Sequence, residues 1–523
     1  MGNYTSDRRT LLKGLGATAL VSAFASPLLA GCGKVSTTST SGSASAGTPV
    51  RGGKAVLAIQ DNPVNMDPAD GQLYSSLQVY QNVFSELLEV DANFNFKPNL
   101  AASWKQEDAQ TWIFELVDNA VFHNGEPFTA KDVAYTINRM KDPSHGLAAF
   151  VGFFSSVEVV DPHTCRIHLS KPYGPMEATM ASLVDIVNEK AVSTSDPKQT
   201  AVGTGPYKMG EWVKGSHVTL QRWDKYFKSN QPYLDEVTFQ SVGDDTVRLS
   251  GLQTGQFDWI QTVPQQQIPA LMKSTSIAHT PARAYFPYLV LLNTTAPPFN
   301  DIRVRQAVNW AIDRSEVVKL AFFGAATEAT EAVSPPNPFY TGVSPYKGGP
   351  DLDKAKSLLS QAKLASTDVT ILVEQEDSSY TLIAQILQSQ LKKIGLNLHI
   401  QTASSSEYFG LMAKQQYGIS VTYFSASLDP ALTYYLLGYS QSGFNLSAYK
   451  SPTLDAALAK FTFEADQSVR KQVYPELVNA FQTESPFIFL ANRQQQYWTT
   501  PKLHGAEALP SLEIRVEDMW KSQ

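Results

Sequence analysis

Several patterns in this chain bring together residue types that could act on a covalent bond or hold a metal. Ser195-Asp-Pro-Lys198, Ser344-Pro-Tyr-Lys347 and Ser360-Gln-Ala-Lys363 each place a hydroxyl three positions before an amine, a spacing in which a lysine can activate a serine nucleophile. The companion Ser-Asp-Asn and Lys-Thr-Gly triplets are absent, and so are Gly-x-Ser-x-Gly and His-Glu-x-x-His. A hydrolase reading therefore has no second group to converge on the serine. The eight histidines are scattered. His163 and His168 lie five apart, across a turn into a strand, where they would point to opposite faces. No metal site and no cofactor are expected. Cys165 has no histidine or basic pair at a nucleophile's spacing and reads as a small buried side chain in a strand.

The other cysteine is different. Arg8-Arg9 stand in Asp7-Arg-Arg-Thr-Leu-Leu-Lys13, an apolar run of small residues extends from Leu15 to Ala30, and Leu29-Ala-Gly-Cys32 closes it. A charged start, an apolar middle and a small-residue cleavage site make a secretory signal spanning residues 1–31. The arginine pair resembles a twin-arginine signal, with Asp7 and Leu11 departing from the usual pattern, so Tat and Sec export both stay open. Leu-Ala-Gly-Cys resembles a bacterial lipobox, which implies that Cys32 becomes an acylated N-terminus. The alternative is an uncleaved membrane anchor; Pro27, the small residues around it and the shortness of the run count against that. Val35 to Pro49 is nearly all Ser, Thr, Gly and Ala, too poor in apolar surface to order itself, so residues 32–51 read as a lipid attachment point and a flexible tether.

The body that follows must get its stability from a large core, because with Cys32 assigned to lipid no disulfide can form. Of the 523 residues, 43% are hydrophobic and 11% aromatic, and the net charge is −7. That balance suits a globular chain of several units and argues against a nucleic-acid partner. After residue 32 no stretch of 18 apolar residues occurs, so membrane contact is expected through the lipid alone.

Lys54-Ala-Val-Leu-Ala-Ile-Gln60, Trp112–Val117, Leu234–Phe239 and Tyr288–Asn293 read as strands. Thr129-Ala-Lys-Asp132 fits a capping pattern opening a helix with Val133, Ile137 and Met140 on one face. From about residue 300 longer helices alternate with strands. Asp301 is a candidate N-cap for a helix with Val304, Ala307, Val308 and Ala311 on one face. Leu352, Ala355, Leu358, Leu359 and Ala362 mark another. Val369–Val373, a helix over 380–393 stopped by Gly395, and Leu396–Ile400 make a βαβ unit with a parallel sheet.

Six or seven motifs in order resemble the solute-binding proteins of ABC importers for peptides, nickel and related solutes, family 5: Leu100-Ala-Ala-Ser-Trp104, Phe122-His-Asn-Gly-Glu-Pro-Phe-Thr-Ala-Lys-Asp-Val133, Val202-Gly-Thr-Gly-Pro-Tyr207, Arg303-Val-Arg-Gln-Ala-Val308 with Ile312-Asp-Arg314, Asp353–Leu359, Leu391–Gly395, and Asn445–Tyr449 with Ser451-Pro452. Trp104 and Tyr207 in these motifs read as core aromatics. The resemblance implies an α/β, two-lobed periplasmic-binding-protein-like fold of class II, the large cluster C type with an extra subdomain in lobe 1. Lobe 1 would hold residues 52–290 and 496–523 with an inserted subdomain at about 81–200, lobe 2 would hold 291–495, and two crossing strands would form a hinge. Activity would be binding alone, with no enzyme chemistry. A monomer would capture a peptide-like or other organic solute between the lobes and deliver it to ABC permease transmembrane subunits at the outer face of the cytoplasmic membrane. A sugar or metal-chelate binder, and a receptor that presents ligand for signalling, are the alternatives.

The resemblance also implies where ligand would sit. Peptide-binding members carry a segment like Trp-x-x-Asp-Tyr-Pro-Asp-Pro, whose first aspartate pairs with the peptide amine. Here the stretch is Tyr423-Phe-Ser-Ala-Ser-Leu-Asp-Pro430. Phe424 replaces the tryptophan, Ser427 stands where the amine partner would be, and Asp429 either substitutes for it or makes a turn with Pro430. A serine offers only a dipole to a buried ammonium, which points to a solute lacking a free amine. Tyr423, Tyr435, Phe153 and Phe154 are candidate aromatic walls, beside Phe150, Tyr434 and Tyr439. Tyr285 and Arg283 lie by the expected hinge, and Arg283 reads either as a bidentate partner for a carboxylate or as a solvated hinge-side arginine.

Overall fold

The computed structural model describes residues 48–71, 74–281, 284–375, 378–424 and 428–522. The signal, Cys32, Arg283 and Ser427 lie outside the described residues. Among the described residues no helix is long and apolar enough to cross a membrane.

Two sheets with separate cores make two lobes. The first is a mixed seven-stranded sheet in the order Ala278–His279, Trp498–Thr499, Trp259–Ile260, Lys54–Ile59, Glu236–Ser241, His217–Arg222 and Tyr207–Val213. Lys54–Ile59 lies at its centre, parallel to both neighbours, and its Leu57 and Ile59 are fully buried. The second sheet has six strands in the order Ala326–Glu328, Phe487–Gln495, Ala284–Leu292, Ile419–Tyr423, Thr367–Glu374 and Leu396–Ala403. Its βαβ unit is the expected one: Thr367–Glu374 and Leu396–Ala403 pair in parallel around helix Ser378–Lys392. Val290, Ile371, Val373, Ile383 and Leu387 bury against one another between sheet and helices.

A four-stranded antiparallel sheet, Ala101–Asp108, Thr111–Leu116, Thr164–Leu169 and Phe154–Asp161, has its own core with helix Ala130–Met140. That helix opens on the Thr129–Asp132 capping box, with Asp132 accepting from the Thr129 N–H at 2.9 Å. Cys165 is buried in this core. Burial, then the Glu115 charge, pushes its thiol up to about 12, which makes it inert. Tyr207 is fully buried. Trp104 is half-buried and donates its indole N–H to Glu177 at 2.7 Å.

The chain crosses between lobes at two adjacent places. Ala278–His279 pairs with Trp498–Thr499 in the first sheet, and Ala284–Leu292 pairs with Phe487–Gln495 in the second. Between them the Thr280 N–H donates to Tyr497 O, and the Tyr497 N–H to Thr280 Oγ1, both at 2.9 Å. The expected boundary at 290 is therefore too late: Ala284–Leu292 bonds along its length to strands of the second sheet. Its apolar run reads equally well as the end of one lobe or the start of the other, and strand pairing decides.

The lobes are closed on each other. Leu428 and Leu432 of the second lobe are buried in the core of the inserted sheet. Phe153 meets Tyr435 edge-on at 5.7 Å and Phe463 at 5.1 Å between ring centroids. The Gly174 N–H donates to Thr462 O at 2.9 Å, and Gln467 Nε2 donates to Gly174 O at 2.8 Å. A Cβ on Gly174 would stand 2.3 Å from Glu464 O and 2.4 Å from Arg470 Nε. Gly174→Val is thus expected to wedge the lobes apart without disturbing either sheet. Small-angle scattering should show a larger radius of gyration than wild type in saturating solute, with an unchanged far-UV circular dichroism spectrum.

Candidate functional site

A cavity of about 390 Å³ lies between the closed lobes. Helix Tyr74–Tyr80, the turns at 70–71 and 146–150, the segment 182–185 and residues 511–512 wall it from the first lobe. Phe424, Leu428 and helix Pro430–Gly438 wall it from the second. That helix is set by its N-terminus: Asp429 accepts from the Ala431 N–H at 2.9 Å, and Pro430 occupies the first turn, where its missing N–H costs nothing. Leu432, Thr433 and Leu436 then face the cavity, while Tyr434 and Leu437 are buried in the second lobe. The wall is mainly hydrocarbon, with Leu77, Leu147, Phe150, Leu183, Phe444 and Leu512 opposite and around them.

The expected contacts divide. Phe424 lines the cavity, and so does Phe150. Tyr423 sits one position back, in an aromatic cluster with Phe286 and Tyr288, each at 5.3 Å, and Tyr380 at 6.0 Å. Arg493 lies over that cluster, 5.2 Å from the Phe286 ring. Tyr74 joins it to the cavity, edge-on to Phe286 at 5.8 Å. Phe153 and Tyr435 are not on the cavity wall; they form the interlobe aromatic contact, with Tyr439 stacked on Tyr435 at 4.5 Å. Phe154 is buried against Tyr173 in the inserted core. Tyr285 is a half-buried strand residue opposite Gln494, off the wall. Tyr434 is core.

Asp429 is not available to a solute. Its carboxylate is held by the guanidinium of Arg470, Nη1 to Oδ2 at 2.5 Å and Nη2 to Oδ1 at 2.7 Å. Arg470 is itself wholly buried, donates to Phe461 O at 3.1 Å, and stacks over the Phe461 ring at 4.4 Å. The carboxylate is spent as helix cap and as the partner of a buried cation.

Two other carboxyls reach the cavity, and sequence reading singled out neither. Asp70 is saturated: His145 Nδ1 lies 2.7 Å from its Oδ1, Asn65 Nδ2 donates to Oδ2 at 2.8 Å, and Lys198 pairs with Oδ2 at 3.0 Å. Burial would raise this carboxyl, but these partners outweigh it and hold it at about 2. Asp67, Asp70 and His145 have donor atoms within 4.8 Å of one another. Arg139 already grips Asp67 with both ends of its guanidinium, so the trio is a neutralised ion network and a poor cation site. Asp185 is 4% exposed, and its Oδ1 has no hydrogen-bond partner. The sequence does carry a signal for it: one acid interrupts the apolar run Leu183-Val-Asp-Ile-Val187.

A second cavity, about 410 Å³, lies on the other flank of the crossing strands, lined by Asp244, Thr262, Gln265, Ser379 and the segment Arg493–Gln496 among others. It is more polar than the first, with Val263, Ile268, Phe323, Leu382 and Trp498 as its apolar part.

The sequence pattern of the bacterial extracellular solute-binding proteins, family 5 (middle region), matches residues 95–445. The chain belongs to that family. It is 27% identical over 484 residues to the glutathione-binding protein GsiB of Pectobacterium atrosepticum, covering 89% of this chain and 93% of that one. Among solved structures it is similar to DppA from Helicobacter pylori in complex with peptide STSA, an ABC transporter-associated periplasmic binding protein, with TM-score 0.81, 23% identity, and 91% and 99% of the two chains covered. It is also similar to AgaA from A. tumefaciens in complex with agropinic acid, with TM-score 0.79, 24% identity, and 90% and 99% covered. The family 5 assignment and these likenesses agree with the two-lobed fold that the sequence implied.

The Asp429–Arg470 pair gives a prediction about the family 5 loop. Asp429→Ala should leave a buried, unpaired guanidinium and cost about 3–5 kcal/mol. Denaturant titration checks it, and Arg470→Met in the same background should recover part of the loss.

Proposed function

We propose that this chain captures an organic solute in the interlobe cavity and hands it, in the closed form, to an ABC permease. The observation that carries this reading is the cavity itself: a largely apolar chamber walled by residues of both lobes, in a molecule whose lobes are joined by two crossing strands that can bend. The reaction is binding and closure. Relatives and neighbours on this fold are named for glutathione, a tetrapeptide and agropinic acid, so solute choice rests with the side chains on the wall. In this chain those are Phe424, Phe150, Phe444 and the surrounding leucines, which suit a largely apolar, peptide-like body.

The N-terminal segment completes the reading. Cys32 in Leu29-Ala-Gly-Cys32 would carry lipid at the outer face of the cytoplasmic membrane, Arg8-Arg9 would direct twin-arginine export, and the Ser/Thr/Gly-rich stretch to Pro49 would tether a monomeric body. The lobes would comprise residues 52–283 with 496–523, and 284–495.

Mass spectrometry of small molecules released by denaturing freshly purified protein identifies the solute, and calorimetry with that solute measures it. Phe424→Ala is expected to weaken binding about tenfold or more, the loss usual for truncating a buried aromatic contact. Scattering should show compaction on addition of solute to stripped protein. A solute that binds with neither compaction nor dependence on Phe424 would place the site elsewhere.

A further inference from the structure

An ion balance of the interlobe wall points to a charge that the protein itself does not supply. Among the described residues lining the cavity there are two carboxyls, Asp70 and Asp185, and no lysine, arginine or histidine. Asp70 is already saturated by Lys198, Asn65 and His145. Asp185 is not. Its backbone is fixed by an antiparallel bridge to Glu86, the residue is part of the cavity lining, and its Oδ1, buried just behind that wall, has no partner. A buried acid oxygen left unpaired is costly, and such a group persists where a ligand completes it.

We propose that Asp185 receives a primary ammonium of the solute, so that the amine partner missing from the 423–430 loop is supplied by the opposite lobe. This rests on the interlobe cavity being the solute site. The solute class becomes an apolar, peptide-like body with a cationic end, in place of the amine-free solute that the loop sequence alone suggests. A free carboxylate finds no cation on the described wall.

The surroundings of Asp185 favour a cation. Tyr80 faces it from helix Tyr74–Tyr80, Glu86 lies across the bridge, and Glu513 approaches from the C-terminal segment. Arg515 acts on Glu86 and Glu513. Asp70, with Lys198 and His145, shares the cavity but is neutralised. Burial first, and the Glu513 charge second, push the Asp185 carboxyl up to about 8, and burial also raises Glu86 and Glu513. With no cation beside it, burial therefore favours the protonated form of Asp185. An ammonium at hydrogen-bond distance favours the carboxylate. The O–H bond of Asp185 then breaks, one proton passes to the buffer, and an ion pair forms with the charge on the wall balanced.

The test uses matched probes that differ only in the cation: leucyl-leucinamide against its N-acetyl form, and 4-phenylbutylamine against 4-phenylbutanol. Wild type is expected to bind each amine at least about tenfold more tightly than its neutral partner. Calorimetry at pH 7 in two buffers of different ionisation enthalpy should show proton release with the amines only. Asp185→Asn, with Asp185→Ala as a second variant, should abolish both the preference and the proton release while keeping the melting temperature. Phe424→Ala should weaken both members of a pair alike. Equal binding of the two members by wild type, a preference that survives in both Asp185 variants, or failure of every amine to bind overturns the inference. If the neutral members still bind and respond to Phe424→Ala, the interlobe solute site stands without the charge assignment. If no probe binds, both fall.

Discussion

Everything in this molecule depends on two strands that pass side by side from one sheet to the other. Ala278–His279 leads on to Ala284–Leu292, and Phe487–Gln495 leads on to Trp498–Thr499, bonded to each other on both sides of the crossing. Each sheet has a core of its own. A two-strand connection can bend or twist while its ladder remains intact, which makes relative rotation of the lobes the softest large motion available. The direct contacts between the lobes, together with whatever they enclose, therefore hold them shut.

The surfaces brought together by that motion are unlike one another. At one edge, backbone and aromatic contacts close tightly: Gly174 against Thr462 and Gln467, and Phe153 against Tyr435 and Phe463. Gly174 is glycine because the opposing carbonyl leaves no room for a Cβ. At the centre the walls stand apart and leave the cavity. Closure is thus registered by rigid contacts at the rim, while the solute fills a chamber whose shape is set by helix Pro430–Gly438. The helix in turn is fixed by Asp429 and its buried partner Arg470. Binding selectivity and fold stability meet at that pair, which holds the loop in place without touching the cavity.

Charge is distributed with the same economy. The Asp67–Arg139 and Asp70–Lys198 pairs neutralise one end of the cavity wall. At the other end Glu86, Asp185 and Glu513 are buried together, and Arg515 is the nearby cation acting on the two glutamates. Such an arrangement is unfavourable in an empty protein, and it makes the closed form depend on what enters.

The sequence by itself determined the local elements and the family. Alternation, capping residues and the βαβ spacing act over a few positions, so the Thr129–Asp132 box, the Asp301 cap, the strand at 54–59 and the unit at 367–403 could all be read directly. The order of the turn motifs carried the two-lobed fold. Tertiary structure decided the site. Tyr423, Phe424 and Tyr435, and likewise Phe153 and Phe154, are chemically similar and close in the chain, yet of the five one lines the cavity, one lies behind it, two seal the rim and one is core. Only the packing of one lobe against the other separates these roles. The sequence left Asp429 open between a charge for the solute and a turn with Pro430, because Arg470 is remote in the chain. Asp185 drew no reading from the sequence because the cavity beside it is completed by the second lobe.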